Sequence, residues 1–226
     1  MRGYAICTEP RSGSTWLCRV LESTGVLGVP TEYFNANTMR RGRGFTDYPL
    51  DPEDQIPALL KLGATPNGVY GLKIFAHIFD HVAATRWAER LPNLKFISLV
   101  RLDALGQAIS HVRAMQTQQW VAHRQPQAEP VYDFDHINNE LVRLLRARTR
   151  WAYYLSRNDI PVLHLEYERI VRQPQETAEA VARFIGLEER PVVDLSKVSV
   201  EVQRDALSDD WRARYVAQAR DLGRFD

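Results

Sequence analysis

The chain has 226 residues and a net charge of +1, which suits one domain with a sizeable core and excludes the global basic field of a nucleic-acid binder. No apolar run approaches the roughly 18 residues of a bilayer span, and Met1-Arg2-Gly3-Tyr4 leads straight into an apolar run, so neither membrane insertion nor a signal peptide is expected. The two cysteines, Cys7 and Cys18, show neither CxxC nor Cys/His spacing; they read as reduced core thiols of a cytoplasmic protein.

In chain order, Tyr4–Cys7 is a short buried strand, followed by the polar turn Pro10-Arg11-Ser12-Gly13-Ser14-Thr15-Trp16. Leu17, Val20, Leu21 and Thr24 then repeat at helical spacing until Gly25. Asn35 to Tyr48, with Arg40, Arg41, Gly42, Arg43 and Gly44, breaks the pattern as a lid, a binding loop or a mobile stretch. Asp51-Pro52 caps and opens a helix that closes near Gly63. Strand Val69–Phe75, a helix from Phe79 to Leu91 and strand Leu94–Val100 follow. Asp103 caps a helix through about Met115, and Gln116 to Tyr132 is the second irregular stretch. A helix from Asp135 to Leu155, strand Val162–Leu165, a helix from Pro174 or Gln175 to Gly186 and a helix around Trp211 complete the chain. Short strands alternating with helices predict a single α/β domain over 1–226, its mostly parallel sheet flanked by helices.

The turn after the first strand is the strongest chemical signal. The first N–H groups of a helix lack intrahelical partners and carry partial positive charge, so a strand, a tight turn and a helix N-terminus together cradle an anion. Gly13 permits close backbone approach, Ser12, Ser14 and Thr15 add hydroxyls, and Arg11 adds a charged donor fork. The G-x-x-x-x-G-K-[ST] loop of nucleotide triphosphatases is absent, as is G-x-G-x-x-G. The competing reading is an ordinary polar turn with a Ser N-cap. A second anchor stands at the end of Leu94–Val100, where Arg101 occupies the carboxyl edge at which open parallel sheets bind ligands. Ser110 and Arg113 share one face of the following helix. The two anchors together suggest a ligand with two separated phosphate-like groups.

On these residues the chain resembles sulfotransferases that use 3′-phosphoadenosine 5′-phosphosulfate (PAPS). Pro10 to Leu17 resembles their 5′-phosphosulfate loop, and Val100-Arg101-Leu102-Asp103 with Ser110 their 3′-phosphate motif. More narrowly it resembles the bacterial Stf0 type, known for trehalose 2-sulfotransfer. Cys7 to Thr15, Glu32-Tyr33-Phe34-Asn35, Gly71-Leu72-Lys73, Gln107 to Ala114, Gln116 to Trp120, Tyr167-Glu168 and Ala206 to Trp211 carry the likeness. Arg11 stands where cytosolic sulfotransferases usually carry Lys.

The resemblance implies a P-loop-like sulfotransferase fold and in-line sulfuryl transfer from PAPS to a hydroxyl of a sugar or glycolipid, trehalose-like sugars included. It implies no metal, 3′,5′-adenosine bisphosphate (PAP) as product, and a homodimer. The donor would be held by Arg11, Ser12, Gly13, Ser14, Thr15, Trp16, Arg101 and Ser110, with Gln203 and Arg204 near the adenosine. Glu32 takes the role of base, its pKa raised by partial burial. His77 is a rival, placed one alternating strand face beyond Lys73. Lys73 could reach the sulfate or an acceptor hydroxyl, and Tyr33 and Trp120 could stack on a sugar ring. The series Arg143, Arg146, Arg148 and Arg150 reads as a solvated helix face, or else a contact for an acidic polymer or membrane surface. An ATP-dependent phosphotransferase and a catalytically silent nucleotide-binding module remain alternatives.

Overall fold

The computed structural model describes residues 1–120, 125–198 and 205–221. Four strands, β1 (Arg2–Thr8), β2 (Val69–Phe75), β3 (Leu94–Val100) and β4 (Val162–Glu166), form one parallel sheet in the order β2-β1-β3-β4. Nine α-helices lie among the described residues: α1 (Ser14–Ser23), α2 (Pro52–Leu62), α3 (Ala76–Val82), α4 (Trp87–Arg90), α5 (Ala104–Thr117), α6 (Phe134–Arg157), α7 (Tyr167–Arg172), α8 (Pro174–Phe184) and α9 (Ala206–Ala219). The chain divides into two compact units, Met1–Leu102 with Ala147–Ser199, and Asp103–Arg146 with Val200–Asp226, the division falling inside α6.

In the first unit both sheet faces are covered, as a parallel sheet requires. Strand alternation sorts the core: Tyr4 and Ile6 of β1 pack with Leu17, Leu21 and Val181, while Ala5 and Cys7 pack with Ile56, Trp87 and Trp151. Lys73 falls on the α1 face, because it shares alternation with Val69, which packs among Leu17 and Leu21. Winding reverses between β1 and β3, so the crevice at their carboxyl ends is the topological switch point where open α/β sheets bind ligands. Arg11 follows β1 and Arg101 follows β3. The second unit has its own core, in which Ala108, Ile109 and Val112 of α5 pack with Ile137, Leu144, Trp211 and Tyr215.

Two expectations about helices change. The helix expected over Phe79–Leu91 starts earlier, because Glu9 Oε1 accepts the Ala76 N–H at 3.0 Å and so serves its first turn. It also breaks at Arg86, whose φ of 50° ends the 3₁₀ turn Ala83–Thr85 and lets Trp87 restart the chain as a fully buried core residue. Helix α7 is an addition to the expected elements: its N-cap, Glu166, makes no side-chain cap, so the sequence carries no start signal there.

Candidate active site

The turn after β1 is built by left-handed backbone at two positions, Arg11 (φ 61°) and Gly13 (φ 80°). Gly13 is the N-cap of α1 and has no side chain to offer, so the expected alternative of a Ser cap does not hold. The glycine is required twice over. Its φ lies in the left-handed region, and a Cβ there would stand 2.1 Å from Cδ2 of the Tyr167 ring. Below the turn, Thr8 Oγ1 lies 2.7 Å from Ser12 Oγ and donates to the Leu99 carbonyl at 2.9 Å. Thr8 thus ties the turn to the end of β3. The Ser12 hydroxyl is buried and bonded inward to Thr8. Ser14 is buried, Thr15 exposed, and Trp16 packs half-buried against the α1-side core.

The second anchor sits beside the first. Arg101 Nη1 donates to the Arg11 carbonyl at 3.4 Å, and its guanidinium lies 5.4 Å from the Tyr167 ring centroid. Tyr167 therefore underlies both Gly13 and Arg101. Ser110 and Arg113 lie on α5 in the second unit. There Arg113 is bound to Asp205 at 2.6 Å, and Asp103 caps α5 by accepting from Gly106 N at 3.0 Å. Gln203 and Arg204 lie outside the described residues.

The third component is a buried ion pair. The Lys73 N–H donates to the Thr31 carbonyl at 2.9 Å, which lays residues 30–32 alongside β2. Gly71 makes this approach possible, since a Cβ would lie 3.0 Å from Pro30 Cβ and 2.8 Å from the Tyr4 ring. Glu32 is thereby set against Lys73, Oε1 to Nζ 2.8 Å, with side chains only 17% and 7% exposed. Glu32 Oε2 accepts from Asn35 Nδ2 at 3.0 Å and Thr38 Oγ1 at 3.3 Å. Lys73 Nζ also donates to Thr15 Oγ1 at 3.4 Å, joining the carboxylate to the first turn of α1. Burial alone would push the Glu32 pKa up, but the charge and hydrogen bond of Lys73, with the hydrogen bonds of Asn35 and Thr38, outweigh it and hold the carboxyl below its ordinary value. The raised pKa expected for Glu32 is thus corrected: the sequence showed the burial but not the partner. Burial would likewise lower Lys73, and Glu32 reverses that and raises it.

This pair opens into a recess lined by Thr15, Cys18, Arg19, Pro30, Thr31, Glu32, Thr38, Gly42, Arg43 and Lys73. At its rim Glu22 holds both Arg19 (2.7 Å) and Arg43 (3.2 Å). The irregular Asn35–Tyr48 stretch therefore contributes a wall, through Thr38, Gly42 and Arg43, with Thr38–Gly42 coiled as a short π-helical turn. Burial pushes the Cys18 thiol up to about 11, so it stands in the wall as a neutral group.

Two expected acceptor residues are placed elsewhere. Tyr33 is a core residue, 1% exposed, with its hydroxyl donated to the Val29 carbonyl at 2.8 Å; no ring face is left for a sugar. His77 is not on the strand, because β2 ends at Phe75; it is exposed on α3, stacked 5.9 Å from Phe75, and outside the recess lining. Trp120 is 40% exposed in the second unit, its ring 5.7 Å from that of His111. His111 Nδ1 in turn lies 2.6 Å from the buried Glu140 carboxylate. Of the residues missed from the sequence, Thr8, Glu9, Arg19, Glu22 and Arg43, Glu9 and Arg43 act through partners distant in the chain. Thr8 with Ser12, four residues apart, and Arg19 with Glu22, three apart on α1, left local hints.

A parallel sheet with a glycine-containing turn at its switch point, faced by a buried Lys–Glu pair, is built on the P-loop-like sulfotransferase fold. Solved structures of this fold include a sulfotransferase from Alicyclobacillus acidocaldarius (TM-score 0.53, 17% identity, covering 98% of this chain and 97% of that one). The sulfotransferase domain from the curacin biosynthetic pathway gives a TM-score of 0.52 at 15% identity, covering 97% and 98%. Residues 3–218 match the Stf0 sulphotransferase family model, and the chain belongs to that family. Among its relatives, trehalose 2-sulfotransferase of Mycolicibacterium smegmatis is 27% identical over 96% of this chain and 95% of its own length. The enzyme of that name from Mycobacterium tuberculosis is 27% identical over 99% and 97%.

Proposed function

We propose that the chain, acting as one sulfotransferase domain, moves a sulfuryl group from PAPS to a hydroxyl of a carbohydrate or glycolipid, with trehalose-like sugars among the candidate acceptors. The observation that carries this reading is the position of Lys73, 2.8 Å from Glu32 and 3.4 Å from Thr15. One ammonium group links the anion turn to a carboxylate inside a single open recess. The names of the mycobacterial relatives support a sugar acceptor.

In this reading the donor's 5′-phosphosulfate lies against the first turn of α1 and Arg11, and Arg101 meets its 3′-phosphate. The S–O bond to the 5′-phosphate breaks as the acceptor oxygen bonds to sulfur from the opposite side, through a loose in-line transition state. Negative charge grows on the departing phosphate oxygen, where the helix N–H groups, Arg11 and Thr15 stabilise it. Glu32 accepts the acceptor's proton. An incoming donor anion competes with Glu32 for Lys73, which frees the carboxylate to act as base and directs the ammonium toward the transferring group.

The test is transfer of radiolabelled sulfate from PAPS to a panel of sugars and glycolipids, read by mass spectrometry of the products. Transfer that disappears in Glu32→Ala, with PAP binding retained there and weakened in Arg11→Ala, is the expected result. Absence of calorimetric PAP binding by the wild-type chain would reject the reading.

A further inference from the structure

One half-buried arginine stands apart from the series to which its sequence position assigns it. Arg143, Arg146 and Arg150 lie within about 60° of one another around α6, whereas Arg148 falls on roughly the opposite side, at the edge of the stripe of Ala147, Trp151 and Leu155 that enters the core. Arg150 pairs with Asp80 at 2.6 Å on the surface, and Arg143 chelates Glu140 at 2.7 Å. Arg148 instead donates from Nη2 to the Arg101 carbonyl at 2.6 Å. The N–H of the same peptide unit, that of Leu102, donates to Glu168 Oε2 at 3.1 Å. Both polar atoms of the peptide that leaves β3 are therefore held by side chains of opposite charge. Glu168 and Glu9 supply the countercharge for the Arg148 guanidinium, and Arg101 is the like charge near it.

We propose that Arg148 and Glu168 are positioning residues that clamp the Arg101–Leu102 peptide and so fix where the Arg101 guanidinium points. This rests on the reading of Arg101 as a donor anchor. Arg101 sits at a strand end, where nothing in the ladder constrains the next peptide. A rotation of that peptide would swing the guanidinium, carried at the end of a long side chain, by an ångström or more. It would also loosen the Arg101-to-Arg11 carbonyl bond that joins the two anchors. A guanidinium so displaced loses a charge-assisted hydrogen bond to its phosphate, worth about 10-fold in affinity. The clamp divides the work of the Tyr167-Glu168 pair. Tyr167 underlies Gly13 and Arg101, and Glu168 holds the peptide that follows Arg101.

The experiment is a double-mutant cycle on PAP affinity, measured by calorimetry on the full chain, with Arg148→Met, Arg101→Ala and the double variant, and Arg146→Met as the exposed control on the same helix. Arg148→Met is expected to weaken PAP about 10-fold and to raise the KM for PAPS in step, with kcat within about threefold of wild type. In the Arg101→Ala background the same change is expected to cost less than twofold, because its effect runs through Arg101. Arg148→Lys, which keeps one donor for the carbonyl, should recover part of the affinity. If Arg148→Met melts too early to assay, Glu168→Gln enters the same cycle in its place. Equal losses with and without the Arg101 side chain overturn the proposal, as does wild-type affinity in Arg148→Met. Failure of the wild-type chain to bind PAP overturns the donor reading itself.

Discussion

Replacing Lys73 with Met leaves a buried carboxylate without its cation. The two side chains are 7% and 17% exposed and 2.8 Å apart, so solvent entering from the recess takes over only part of the role of the missing partner. Breaking a buried pair from one side costs about 3–5 kcal/mol. For a domain of this size that is a drop in Tm of roughly 6–20 °C. Glu32→Gln also breaks the pair, because the amide has one acceptor oxygen for either Lys73 or Asn35 and Thr38 and turns an NH2 donor toward the other. The double variant should recover part of the summed loss, by about 0.5–3 kcal/mol. Thermal and urea unfolding of the four proteins at pH 7 measures the cycle. A loss below about 1 kcal/mol in Lys73→Met, the worth of a surface pair, would refute the reasoning, as would simple additivity.

The pair also sets the pH window of stability. Glu32 titrates below its ordinary 4.5 in the folded chain, so its contribution is present above that value and is lost as pH falls through the lowered one. Lys73 titrates above its ordinary 10.5, so its share is present below that value and is lost as pH rises through the raised one. With Glu32 as base, the acid limb of kcat/KM lies below the ordinary value of a glutamate, and Lys73→Met moves it upward because burial is then opposed only by the hydrogen bonds of Asn35 and Thr38. An acid limb near the ordinary imidazole value in the wild-type enzyme would assign the proton to a histidine instead.

Further outcomes follow from the same geometry. Gly13→Ala combines a left-handed backbone with a clash against Tyr167, at a cost of about 2–5 kcal/mol in urea unfolding; a loss under about 1 kcal/mol would show that the turn relaxes freely. Arg11→Ala removes a charged donor and should weaken PAP by about 1.5–3 kcal/mol, roughly 10- to 100-fold by calorimetry; unchanged affinity would take Arg11 out of the donor site. In the second unit burial would raise Glu140, but the hydrogen bonds of His111 and Arg143 bring it to about 2. Its stabilising share is therefore present above the ordinary 4.5 and is lost as pH falls toward about 2. Glu140→Gln should flatten the acid side of the urea-midpoint profile, and an unaltered profile would contradict the assignment.

What the sequence disclosed was whatever depends on neighbours in the chain. Strands β2 and β3 were legible to the residue, because buried parallel strands are continuous apolar runs bounded by polar turns. The turn after β1 was legible because strand, glycine and helix start are consecutive. The partners brought together in the recess were not. Glu32 and Lys73 are far apart in sequence and meet only because residues 30–32 run beside β2 over a glycine. Without Lys73 in view, burial was the visible influence on the carboxyl, and it points the wrong way. Tyr33 misled for a related reason: a Glu-Tyr-Phe-Asn segment places one side chain in the recess and its neighbour in the core, and the motif alone does not say which is which. Arg148 is the intermediate case. Read along the chain, the arginines of α6 merge into one charged face, but helical periodicity by itself turns Arg148 away from Arg143, Arg146 and Arg150. Angular position could have shown that this arginine borders the core. Only the fold could show that the group waiting there was the carbonyl of Arg101.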